Sequence, residues 1–164
     1  MNNNQFSAPS APLRENDLTG IIIDVAMDIH RRLGPGLLES VYAAVLTHEL
    51  RKRGLHVETE VPIPVEWETI HLEIGFRADL IVENTVVVEL KSIEAVAPVH
   101  KKILLTYLRL ADKRVGLLIN FGMELLKDGI HRVVNNLREE SHAEARRTQR
   151  KNPPSASPAP LREH

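Results

Sequence analysis

Two acids and a lysine interrupt the most apolar part of the chain. In ADLIVENTVVVELKS, residues 78–92, Asp79 falls in the first of two strand-like runs, Glu89 and Lys91 in the second. Side chains two apart on a strand point the same way, so Glu89 and Lys91 share a face with Val87. Asp79 joins them only if the connecting loop has odd length. A three-residue loop, Glu83-Asn84-Thr85, pairs Val82 with Val86 and sets Asp79 opposite Glu89. A two-residue loop pairs Val82 with Thr85 and sends Asp79 to the other face. Glu39 is a third misplaced acid. On a helical wheel it shares a stripe with Tyr42, Ala43, Leu46 and Leu50, where an unpaired carboxylate costs desolvation energy. A metal ion or Lys91 would be a suitable partner.

Carboxylates and a lysine on one face suit chemistry at phosphorus. The acids offer hard oxygen ligands to Mg²⁺, and such an ion lowers the pKa of a water. A lysine can orient that water or neutralise charge developing on a phosphate. The same spacing also fits a solvated face with ordinary cross-strand ion pairs. Spacing alone leaves both readings open, and Glu39 on its apolar stripe favours the first.

The elements that would carry these residues follow from periodicity. DLTGIIIDVAMDIHRRLG has apolar residues at 21, 22, 25, 29 and 33, which predicts an amphipathic helix ended by Gly34-Pro35-Gly36. LLESVYAAVLTHELRKRG predicts a second helix stopped by Gly54. The period then becomes two. Val57, Thr59, Val61, Ile63 and Val65 alternate with polar residues and two prolines, which marks an edge strand. Ile70, Leu72, Ile74, Phe76, Ala78, Leu80 and Val82 alternate as one face of a long strand. TVVVELKSI is a third strand, Pro98 opens a helix through Ala111, and RVGLLINFG is a central strand, apolar on both faces. GIHRVVNN adds a short fifth. The expected fold is α/β, a mixed sheet flanked by helices in the order α-β-β-β-α-β.

Composition sets the limits. The 164 residues carry a net charge of −1, are 43% hydrophobic and contain no cysteine. They fit one domain with tails, and disulfides and thiolate metal sites are excluded. Near-neutrality argues against a non-specific nucleic-acid coat but leaves room for a local basic groove. The N-terminus lacks a basic segment followed by an apolar one, and no apolar run reaches the ~20 residues of a membrane helix. The expected address is the cytoplasm, with no membrane partner. Residues 1–16 and 137–164, rich in Asn, Ser, Ala, Pro and charge, are expected to be disordered tails around a domain at 17–136.

The motifs resemble a known family. GLLESVY reads as Gly36-x-x-Glu39-x-x-Tyr42, the signature of the GxxExxY proteins, and FRADLIVE, VVELKS, PVHKKILLTYLRL and VGLLINFG look like that family's other blocks in the same order. That family in turn resembles the PD-(D/E)XK nucleases, with their restriction-endonuclease-like core. The resemblance implies a metal-dependent nuclease that hydrolyses phosphodiester bonds of DNA, or of RNA. It makes Asp79 the acid of the PD position, here after Ala78 instead of proline, and Glu89-Leu90-Lys91 the (D/E)-X-K triplet. Asp79, Glu89 and the backbone carbonyl of Leu90 would hold Mg²⁺ or Mn²⁺. Lys91 would position the attacking water, and Glu39 would bind a second ion or a water. The chain departs from the family at Ile103, where a glutamine usually stands one turn before Tyr107. That departure supports the alternative of a nuclease-fold domain that binds nucleic acid or protein without turnover.

Four further residues are candidates to border the site: Tyr42, Tyr107, His30 and His100. Arg51-Lys52-Arg53, Lys101-Lys102 and Lys113-Arg114 are candidate phosphate contacts, although solvated basic turns are common. Leu105, on the same side of its helix as Lys101 and Arg109, is a candidate homodimer contact.

Overall fold

The computed structural model describes residues 13–136. The stretches 1–12 and 137–164, which hold most of the expected disordered tails, lie outside the described residues. The first helix, α1 (Glu15–Leu33), starts inside the stretch expected to be tail. Its first turn carries Glu15 and Asp17, acids that suit a helix N-terminus, and Glu15 Oε2 accepts a hydrogen bond from Arg114 at 3.0 Å. That long-range tie fixes the start of the helix. Leu18, Ile22, Val25 and Ile29 form its buried stripe. It ends at Gly34, whose φ of +71° is strained for any residue with a Cβ.

After α2 (Glu39–Lys52) come β1 (Val57–Trp67), β2 (Ile70–Val82) and β3 (Val86–Lys91), then α3 (Pro98–Leu110), β4 (Val115–Asn120), a 3₁₀ turn at Leu126–Gly129, and β5 (Ile130–Val134). The five strands form one sheet in chain order, β1-β2-β3-β4-β5. Among the described residues only β3 and β4 are parallel, and α3 is the crossover between them. β1, with Pro62 and Pro64, lies at an edge, where missing N–H donors do least harm. Every residue of β4 is buried.

Both faces of the sheet are covered. Leu18, Ile22, Tyr42 and Leu46 of α1 and α2 pack on Leu80, Val88, Leu90 and Leu117. On the other face, Leu104, Tyr107 and Leu108 of α3 pack on Ile81, Val87 and Leu118. This is an α/β fold of the restriction-endonuclease-like type, a mixed sheet flanked by helices. No helix among the described residues is long and apolar enough to cross a membrane. Leu105 is only half-buried on α3.

One expectation is corrected. The alternation from Ile70 to Val82 does not form a single face. Leu80 and Val82 lie beneath α1 and α2, whereas Phe76 and Ala78 pack with the α3 cluster. The ladder pairs Thr59 with Leu80 and Val61 with Ala78 but leaves out Glu60 and Asp79. Glu60 sits there at φ +51°, and one left-handed residue of this kind rotates the ribbon so that its faces exchange.

Candidate active site

The odd-length loop is the one found. Val82 pairs with Val86, Ile81 with Val87 and Leu80 with Val88, across Glu83-Asn84-Thr85. The pairing stops there, and β2 parts from β3 at Asp79. Asp79 Oδ2 accepts the Leu90 N–H at 2.7 Å, so a carboxylate stands where the next strand carbonyl would be. Beside it, Glu89 is 6% exposed. Lys91 Nζ donates to Glu89 Oε1 at 2.7 Å and to the Leu90 carbonyl at 3.0 Å. Glu89 Oε2 is buried without a hydrogen-bond partner. Glu39, the first residue of α2, is half-buried, and the backbone N–H of Ser92, just past β3, favours its charged form.

These groups act on one another. Burial pushes the Glu89 carboxyl up to about 6, and the charges of Asp79 and Glu39 add to the rise against the opposing hydrogen bond from Lys91. Burial also raises Asp79, opposed by the Leu90 N–H and by Lys91. Glu39 is raised by burial too, with Lys91 opposing and Asp79 reinforcing. Burial alone would lower Lys91, but its hydrogen bond to Glu89 and the charges of all three acids leave it raised. The ammonium therefore stays charged among acids that burial disfavours. Tyr107 borders the cluster from α3. Its ring lies 5.0 Å from that of Phe76, and burial followed by the Glu89 charge raises its hydroxyl pKa.

A set of braces holds the acids in place. Tyr42 is fully buried, stacked on Phe121 with ring centroids 4.2 Å apart. Its hydroxyl donates to the Gly34 carbonyl at 2.6 Å and accepts the Leu37 N–H at 3.2 Å. Ser92 Oγ donates to the Leu37 carbonyl at 2.7 Å. The turn between α1 and α2, with Gly36 at φ +99°, is thus pinned at both ends where it delivers Glu39. Asn120 clamps the segment after Lys91: its Oδ1 accepts the N–H groups of Ile93 and Gly122, and its Nδ2 donates to the Ile93 carbonyl. Asn120 and Ser92 escape a reading aimed at acids and lysines. The available signal is a lone amide ending the all-apolar run VGLLIN.

The two histidines expected to border the cluster have other partners. His30 Nε2 lies 2.9 Å from the Met123 carbonyl, tying α1 to the loop after β4. His100 Nδ1 accepts the Ala97 N–H at 3.1 Å and caps α3. Of the basic candidates, Arg114 binds Glu15 and Lys113 binds Asn84, whereas Lys101 and Lys102 are exposed.

Among the described residues no three His, Cys, Asp or Glu side chains converge as a metal cluster. The donor set at the strand fork is different: two carboxylates and one carbonyl, all hard oxygens. The Lys91 ammonium already bridges two of them, and Glu89 Oε2 is left with an unmet lone pair. Both observations fit a divalent cation. A cleft of about 520 Å³ between α2 and the β1–β2 ribbon opens beside Asp79 and Glu39, and a second of about 470 Å³ lies on the other side of Glu39, against Ser92 and Gly122.

Searches of curated proteins and of solved structures returned no match. The family model described as the PD-(D/E)XK nuclease superfamily matches residues 16–133, a span that holds the strand fork, the three acids and Lys91. The chain belongs to the PD-(D/E)XK nuclease superfamily.

Proposed function

We propose that the protein is a metal-dependent nuclease whose site is Asp79, Glu89, Lys91 and Glu39, carried by a domain spanning 17–136. The observation that carries this reading is the fork of β2 and β3. It leaves the buried Glu89, the half-buried Asp79 and the Leu90 carbonyl around an ammonium, with one oxygen of Glu89 unpartnered. Asp79, Glu89 and the Leu90 carbonyl would hold Mg²⁺ or Mn²⁺, and Glu39 a second ion or a water. When bound, the ion supplies Lewis-acid polarisation of the phosphate and offsets its charge. Asp79 keeps the fork open by capping the Leu90 N–H. Lys91 turns from Glu89 to the attacking water and then steadies the charge that grows on the phosphate. The narrower likeness to the GxxExxY proteins is supported by the way Gly36, Glu39 and Tyr42 cooperate in one turn.

Ile103 favours a second reading, a binding domain without turnover. It packs half-buried in the α3 cluster one turn before Tyr107, where it offers the acids no amide. Calorimetric titration with Mn²⁺ tests the metal assignment. Asp79→Asn and Glu89→Gln should each fold and bind Mn²⁺ about ten-fold or more weakly than wild type. Undiminished affinity in both folded variants would contradict the assignment.

A further inference from the structure

We infer that the outer face of α3 is a docking surface for the phosphate backbone of a nucleic acid, held by Lys101, Lys102 and Arg109. The inference rests on the nuclease reading for the choice of a nucleic acid among polyanions, and adds the surface along which the substrate lies.

The helix gathers the three cations. At about 100° per residue they fall within one arc of about 100°. That arc is on the side away from the buried Leu104, Tyr107 and Leu108. Lys101 and Arg109 are roughly 12 Å apart along the axis at 1.5 Å per residue. Over that length one strand of a DNA duplex presents about three or four phosphates. All three side chains are exposed, and none has an ion-pair partner among the described residues. From Pro98 to Leu110 the helix contains no acid.

This charge serves a partner better than it serves the fold. α1 and α2 begin with acids, which suit the positive end of a helix. α3 has no acid in its first turn and carries two lysines directly behind it. His131 of the neighbouring β5 feels the result: burial, and then the charge of Lys101, lowers its pKa. The net charge of −1 hides a segregation, because five exposed glutamates lie within Glu58–Glu73 on the β1–β2 ribbon. A polyanion is therefore drawn to α3 and repelled by the ribbon. A second copy docking here face to face would set cation against cation, so self-association fits this face poorly. The position suits a substrate. Tyr107 borders the acids from the inner side of the same helix, which sets the cations about one helix diameter, roughly 10 Å, beyond it.

The test is fluorescence anisotropy with a labelled DNA strand, alone and annealed to its complement, with Ca²⁺ in place of Mg²⁺ and salt varied from about 50 to 200 mM. Wild type should bind at least one form. On that form, Lys101→Ala/Lys102→Ala/Arg109→Ala should flatten the slope of log affinity against log salt by about 2–3 and weaken binding about ten-fold or more at the lowest salt. Lys52→Ala/Lys127→Ala removes exposed cations elsewhere and should change the slope by less than about 0.5. If the triple alanine variant fails to fold, Lys101→Gln/Lys102→Gln/Arg109→Gln decides. A folded triple variant with a slope within about 0.5 of wild type would overturn the inference. So would an equal loss in the control variant, or a wild type that binds neither form. Displacement of the label by polyglutamate as readily as by unlabelled DNA would assign the face to an acidic protein and overturn it as well. Binding with the expected slopes but no cleavage would sink the nuclease reading alone and leave the docking surface standing.

Discussion

Glu89 is the residue whose ionisation is most costly to the fold. Its carboxyl rises from 4.5 to about 6, chiefly through burial. At about 1.4 kcal/mol per pH unit, keeping it charged at neutral pH costs on the order of 2 kcal/mol. The folded state holds the proton more tightly than the unfolded chain. The contribution is therefore fully present below pH 4.5 and lost as pH rises through about 6. Urea unfolding of wild type and Glu89→Gln across this window should show the difference moving by about 2 kcal/mol in favour of the variant as pH rises. A constant difference would mean that Glu89 is not perturbed. Tyr42 carries a different load. Tyr42→Phe keeps the stacking on Phe121 but strands the Leu37 N–H and the Gly34 carbonyl, and should cost about 1–2 kcal/mol in the same measurement. A neutral result would leave the α1–α2 turn without its brace. The spacing of Gly36, Glu39 and Tyr42 is plain in the sequence, but the hydroxyl's two partners are not, since neither backbone group leaves a mark in side-chain identity.

Strands and helices were largely legible because their apolar periods are long and their ends are marked by glycine and proline. The edge position of β1 follows from Pro62 and Pro64, and the buried β4 from its unbroken apolar run. The exchange of faces within β2 was not legible. It turns on the left-handed conformation of Glu60, a residue with no glycine or asparagine signal, and alternation alone continues across it. Likewise the loop length after Val82 admitted two registers, and backbone pairing chose the odd-length one, beyond which Asp79 meets the Leu90 N–H next to Glu89. Between β4 and the segment after β3 the contact is backbone on backbone. A Cβ on Gly122 would collide with the carbonyl, nitrogen and carbonyl carbon of Ile93, which Asn120 holds in place. Gly122→Ala should lower stability by roughly 3 kcal/mol or more, measured by thermal unfolding, because no flexible side chain can give way. A loss under about 1 kcal/mol would show that this junction yields.

Taken whole, the molecule uses two helical layers to bury a sheet and opens that sheet at one point. α1 and α2 cover one face, α3 the other, and the fork between β2 and β3 is where charge enters the interior. The fork lies at the carboxyl end of β3, bordered by α2 through Glu39 and by α3 through Tyr107. Every layer therefore contributes to it, and a cleft opens on either side of Glu39. Membership of the superfamily fixes the fold, while turnover rests on whether these side chains work together. The measurement that decides this is cleavage of labelled single- and double-stranded DNA by wild type and by Lys91→Ala purified identically, with Mg²⁺ or Mn²⁺ and with EDTA. The nuclease account predicts cleavage that needs the metal, disappears in EDTA and falls about 100-fold or more in the folded variant. Equal inertness, or equal trace activity, in wild type and Lys91→Ala would contradict it and leave a binding domain built on a nuclease fold.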